Sequence, residues 1–265
     1  MASPSITKYG LHESFGLQLS RGQLRGHSIV HKFGRNDAVG TSFVPVSDGG
    51  IYQTPTAANA TTLRIKAGGD AADASGGNGA REVTLIGLDA NGNEISEAIA
   101  TNGISASSAT SQSFMRLYRA YVSASGTYAT AAAGSHTAAI TIENGAGGTD
   151  WASIDATGFP KGQTEIAAYS VPAGYDGYVT SYKVSVDSSK TTDLILFQRA
   201  NILESAAPYT AMRALRVFSL TAAAAPVNFE YPIKITGPAD VGWMAKVSAT
   251  TSAVSVNFEI VLVER

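Results

Sequence analysis

Residues 81–103 read REVTLIGLDANGNEISEAIATNG, with Asp89, Asn91 and Asn93 at alternate positions. That spacing opens an EF-hand calcium loop, which then requires Gly at its sixth position and a bidentate Glu at its twelfth. Counted from Asp89, those positions hold Glu94 and Ala100, and the glycine, Gly92, stands fourth. The flanks do not suit helices either. EVTLIGL is rich in β-branched and aliphatic residues, and EISEAIAT alternates apolar with polar. Asn91-Gly92 between two such runs is a short-hairpin signal, because both central residues of a primed turn need positive φ. The stretch therefore reads as a β-hairpin without metal ligands, and it sets the expectation for the rest of the chain.

Outward from the hairpin the strand signals continue. ATTLRIKA (60–67) alternates, and GGDAADASGGNGA (68–80) is a small-residue loop. SQSFMRLYRAYVSA (111–124) fits a helical face through Phe114, Leu117, Tyr118 and Tyr121. It also fits a strand through Phe114, Arg116, Tyr118 and Ala120, and its setting favours the strand. AAITIEN (138–144) closes a first domain, and GAGGTD (145–150) reads as a linker. TEIAAYSVPAGYDGYVTSYKVSV (164–186) holds two strands about a turn in which Pro172 presets φ and Gly174 and Gly177 take the difficult dihedrals. DLILFQR (193–199) reads as buried on both faces, and AMRALRVFSL (211–220) as a strand or short helix. PVNFEYPIKITGPADVGWMAKVSA (226–249) gives two strands about a Gly237-Pro238 corner. SVNFEIVLVER (255–265) closes the chain with Val256, Phe258 and Ile260 on one side.

Strands about ten residues apart, separated by Gly/Pro turns, mean sandwiches or barrels. The expected fold is all-β: an extended N-terminal arm, then two tandem antiparallel β-sandwich domains, jelly-roll or Ig-like, over residues 46–148 and 149–265. Each half holds an arginine-bearing strand, FMRLYRAY and AMRALRVF, as a decayed duplication would.

Residues 1–45 form the expected arm. Lys8, Arg21, Arg25, Lys32 and Arg35 stand there against Glu13 and Asp37, so the arm is net +3 and the remainder −5. Two short runs alternate: Phe15, Leu17 and Leu19 in FGLQLS, and Ile29, His31 and Phe33 in SIVHKFG. Glycines at 16, 22, 26 and 34 interrupt them. Such an arm suits strand addition to the sheet edge of a neighbour. Phe15, Leu17, Leu19 and Phe33 are the expected apolar contacts, with Arg21, Arg25 and Arg35 facing carboxylates.

The 265 residues can bury real cores, and with no Cys there are neither disulfides nor thiolate metal sites. Charged residues make up 15%, below the usual quarter, and small neutral residues replace them, as suits a protein with many neighbours. A net charge of −2 carries no nucleic-acid signature. The first thirty residues hold no signal-peptide pattern, and no run approaches a membrane span.

Catalytic motifs are not found. GGNGA lacks the Lys-Ser/Thr ending of a P-loop, and HESFG, starting at His12, has Gly16 where a zincin needs its second His. Beyond the arm the single histidine is His136, read as a loop residue. Arg116 and Arg119 among Phe114, Tyr118 and Tyr121 could bind a glycan or an anionic chain. The preferred reading puts the aromatics in the core and lets the arginines bridge strands or subunits. Trp151 and Trp243 are read as packing residues. No catalytic, metal or cofactor site is expected.

HKFGRN, GGIYQTPTAA, VTLIGLDANGNEISEAIATNG, FMRLYRAYVSASG, YSVPAGYDGYVTSYKVSV and the ending VNFEIVLVER, in that order, resemble small virion structural proteins of tailed, notably short-tailed, bacteriophages. The resemblance runs from about residue 9 to the C-terminus. It implies a non-enzymatic part of the particle, assembled in the host cytoplasm and anchored through the arm to a tail adaptor or nozzle, or to the capsid. A tail fibre or appendage is the first expectation, a capsid decoration or head-fibre protein the second, and a receptor module for a host surface glycan the third. A homotrimer is expected by analogy with fibres.

Overall fold

The computed structural model describes residues 13–127, 135–156, 162–186, 190–220 and 227–265. These residues are all-β apart from one short helix and two single 3-10 turns. Its elements are α1 (Phe15–Ser20), β1 (His27–Val39), β2 (Val44–Pro45), β3 (Leu63–Ile65), β4 (Ala80–Leu88), β5 (Glu94–Ala100), β6 (Arg116–Ser125), β7 (Ile140–Asn144) and β8 (Asp150–Ile154). After these come β9 (Ala168–Val171), β10 (Tyr175–Val186), β11 (Thr192–Arg199), β12 (Arg213–Leu220), β13 (Val227–Thr236), β14 (Ala239–Val247) and β15 (Ser252–Glu264).

Two cores form, each between antiparallel sheets. The larger lies between the sheet β1-β15-β10-β13 and the sheet β12-β11-β14, whose far edge is completed by β2 and β9. Trp243, Tyr182, Phe258 and Val184 fill it, with the Tyr182 and Trp243 rings 5.0 Å apart. The smaller lies between β3-β7-β8 and β5-β4-β6 and holds Leu63, Leu85, Leu117, Ile142 and Ile154. Alternation explains the layers: Val254, Val256, Phe258, Ile260 and Leu262 of β15 all point into the larger core.

The tandem order expected from the sequence is not what forms. The larger core takes Val39 and Val46 together with residues 167–262, and Leu88, Met115 and Tyr118 reach into it, whereas the smaller is built mainly from residues 63–154. One unit is thus nested within the other. GAGGTD, read as a linker, is the turn of the β7–β8 hairpin, closed by Asn144 N–H to Thr149 O at 3.0 Å.

The arm is corrected as well. Its residues 1–12, with Lys8 and His12, lie outside the described residues. Residues 27–39 are a body strand, β1, paired with β15 from His27↔Val263 to Asn36↔Val254. Gly34 lets this strand pack closely on Val46 and Ala167, because a Cβ there would stand 2.1 Å from Ala167 N and 2.4 Å from Val46 O. Lys32, Gly34 and Asn36 face inward, so Ile29, His31 and Phe33 occupy the outer face. FGLQLS is helical rather than extended, capped by the Ser14 hydroxyl accepting from Leu17 N–H at 3.3 Å. Phe15, Leu17 and Leu19 therefore do not share a face. Leu19 is buried, and Phe15 and Leu17 are exposed.

The Asp89–Asn93 stretch is a turn. β4 and β5 pair up to Leu88↔Glu94, and Asp89 N–H reaches Asn93 O at 2.9 Å. The Asp89 Oδ1 accepts the N–H groups of Asn91 and Asn93, both at 2.8 Å, and Asn93 Nδ2 donates to Oδ2 at 3.2 Å. The three residues that imitate a calcium loop thus bond to one another. Gly92 alone takes positive φ, at 78°, and Asn91 does not, so the turn is a bulged one rather than the primed two-residue type. Gly177 likewise keeps an ordinary φ while Gly174 lies at 82°.

Candidate functional site

The two cores meet at a buried side-chain pair that joins β6 to β14. Arg116 is 1% exposed and Asp240 0%, and the arginine Nε donates to both carboxylate oxygens at 3.0 Å. Arg116 Nη1 donates to Met115 O at 3.0 Å and to Pro55 O. Ser170 of β9 gives its hydroxyl proton to Asp240 Oδ1 at 2.6 Å. Burial opposes the guanidinium charge, but the facing carboxylate outweighs it and holds the Arg116 pKa above its ordinary value. The reading that this arginine bridges strands is met here.

Not every donor in this junction is satisfied. Tyr52 Oη and Arg116 Nη2 are buried without a hydrogen-bond partner among the described residues. Burial also pushes the Tyr52 phenol up, so it stays protonated. Above this floor opens a cavity of about 380 Å³, walled by Tyr52, Phe197, Tyr209, Met212 and Met244, with Arg199 and Thr54 on its side. Its rim residues Tyr209 and Met212 are 45% and 51% exposed. The sequence reading did not find this place. Asp240 in PADVGWMA was a visible signal, a carboxylate in an otherwise apolar strand.

A second buried cation joins β1 to β6. Lys32 Nζ donates to Tyr118 O at 2.5 Å and lies 5.8 Å from the Tyr118 ring centroid. Burial, with Arg119 nearby, brings its pKa down to about 7. The Tyr118 hydroxyl bonds Glu94, and its ring meets Tyr169 at 4.7 Å.

The expected partner-binding residues do not come together. Phe15 and Leu17 project from α1, Leu19 is buried, and Arg21 pairs with Glu13. Arg25 is exposed. Phe33, half-buried, lines a cavity of about 340 Å³ between β1, β10 and β15. Arg35 pairs with Asp37 at 2.5 Å. His136 has Nδ1 3.1 Å from Ser135 Oγ, while its Nε2 faces the main-chain oxygen of Asp155 at 3.3 Å, where a triad would need a carboxylate. Burial lowers its pKa. Among the described residues no group of three or more acidic or histidine side chains could hold a metal ion. Trp151 and Trp243 are both core residues.

No helix among the described residues is long and apolar enough to cross a membrane. Set against family models, curated proteins and solved structures, the chain finds no match in any of the three.

Proposed function

We propose that the chain is a bacteriophage virion structural protein, a tail-associated fibre or appendage that works by binding its neighbours. The ordered motifs quoted above support this reading. The observation that carries it is the β12–β13 margin. These strands form the outer edges of the two large sheets, and of their 8 and 10 residues Ile235 alone is buried. Val217 is 65% exposed and Tyr231 79%. Exposed strand edges bearing large apolar groups invite further pairing, and soluble monomers blunt or cover them.

The partner that fits is another copy of this chain. Arg213 and Arg216 on β12 and Glu230 on β13 make the margin complementary to itself. The anchor assigned to the arm moves in part to this margin, with Phe15 and Leu17 of α1 as further exposed contacts.

The test is made on particles. Those produced with Val217→Lys plus Tyr231→Glu as the sole copy should lack the protein, while the isolated variant stays folded. Normal occupancy would overturn the margin. Absence of the native chain from purified particles would overturn the virion reading itself.

A further inference from the structure

We propose that the cavity above the Arg116–Asp240 junction is a binding site for a compact aromatic carboxylate. This is independent of the virion reading. Its volume of about 380 Å³ suits one small ring system, and its walls are aromatic and thioether side chains with few polar groups, as ligand sites have. Tyr209 and Met212 stay exposed at the rim although each has a large apolar surface to hide.

The polar groups choose the ligand's charge. Two carboxylates lie near, and both are engaged. Asp240 accepts from Arg116 and Ser170. Glu204 accepts from the Thr210 N–H at 2.5 Å and the Thr210 hydroxyl at 2.6 Å. Arg199 is different. Among the described residues its guanidinium makes two long bonds, 3.4 and 3.3 Å, both to Thr54. Five donors in a planar fork are far from satisfied by these. Tyr52 Oη and Arg116 Nη2 lie beneath the floor, buried out of a ligand's reach, and take no part. The open Arg199 donors on the cavity wall thus lack an acceptor, and a ligand carboxylate supplies it while its ring lies between Tyr209, Phe197 and the methionines.

The probes are 1-naphthoate and its neutral counterpart 1-naphthylmethanol, titrated into the full-length protein by calorimetry and ligand-observed NMR. Naphthoate should bind one per chain with a Kd below about 1 mM, and more tightly than the alcohol. Ala211→Trp, at an exposed rim position, should abolish both. Arg199→Gln should weaken naphthoate about tenfold and leave the alcohol unchanged. Met212→Glu, a second exposed rim change, should weaken naphthoate by pairing with Arg199. Far-ultraviolet circular dichroism confirms folding of each variant. Failure of both probes to bind the native protein overturns the site. So does naphthoate binding that survives both rim changes. Equal losses for both probes in Arg199→Gln overturn the assignment of charge.

Discussion

Two strands of this chain carry nearly the same text and meet opposite fates. FMRLYRAY (114–121) and AMRALRVF (211–218) align Met115 with Met212, Arg116 with Arg213 and Arg119 with Arg216. At the start of β6, Met115 just before it is 0% exposed and Arg116 1%, whereas on the other side Met212 is 51% exposed and Arg213 lies open. The flanks make the difference. β6 pairs with β4 on one edge, and residues 162–164 close the other through Val122 N–H to Gly162 O and Thr164 N–H to Ala120 O, both 2.8 Å. Its buried face also meets the larger unit at Asp240. β12 pairs with β11 alone among the described residues, and Arg216 merely covers the Phe229 ring at 5.6 Å. A pattern of apolar and basic residues thus specifies a strand without specifying its depth.

The sharpest break in this comparison comes from removing the aligned arginines. Arg116→Ala leaves Asp240 charged and buried without its main partner, which costs about 3–5 kcal/mol. Arg213→Ala, on an exposed edge, should change stability by less than about 0.5 kcal/mol. Urea denaturation of both variants measures the contrast, and equal costs would erase it. Arg116→Met combined with Asp240→Leu should recover most of the loss, because the buried pair itself contributes little beyond an apolar isostere.

The second prediction tests the other buried cation at β6. Among the described residues no carboxylate pairs with Lys32, which titrates near 7 when folded, against 10.5 as a free side chain. Between those values the unfolded chain holds a proton that the folded one does not. Stability therefore rises with pH in this window, by about 1.4 kcal/mol per pH unit, and below pH 7 the full penalty applies. Lys32→Met should flatten that rise and stabilise the protein at pH 6. Denaturation curves at pH 6, 8 and 10 decide the matter, and an unchanged slope in the variant would exclude Lys32 as its source.

What the sequence made legible follows the range of the interactions. The hairpin at 81–103 is visible because its causes lie within five residues: Asp89 collects the N–H groups of Asn91 and Asn93, and Gly92 takes the left-handed position. The alternation in β15 is visible for the same reason. The pairing of β1 with β15 is not, because His31 and Glu259 meet across 228 residues and neither strand marks its partner. Detaching 1–45 as an arm followed from its glycines, yet Gly34 serves close packing rather than flexibility. At the cavity, Asp240 stood out in an apolar strand, but Arg116 lies 124 residues away and only the fold joins them.

The third prediction is smaller and local. Gly92→Val should destabilise by about 1 kcal/mol or somewhat more, since a β-branched residue resists φ of 78° and its Cβ would press on Pro238 Cβ at 3.2 Å. Calcium should leave the melting temperature of the native protein unchanged, because Asp89 already holds three donors. A rise with calcium that vanishes in Asp89→Ala would restore the metal reading. Differential scanning fluorimetry with and without calcium gives both results.

The smallest expected effect on folding carries the largest consequence for assembly. Val217 and Tyr231 contribute almost nothing to the larger core, so Val217→Lys and Tyr231→Glu should each shift the stability of the isolated chain by no more than about 0.5 kcal/mol. The same changes place charge on both open edges, where natural sheets use it to prevent pairing. If copies associate here, sedimentation of the native chain should show an oligomer that each variant reduces to a monomer. The charges allow a sharper form of the test. Arg213→Glu and Glu230→Arg should each weaken association, and the double variant should recover it if these residues face each other across the contact. An oligomer indifferent to all four substitutions would move the contact elsewhere on the chain. Its response to Phe15→Ser and Leu17→Ser would then show whether α1, and not the β12–β13 margin, supplies it.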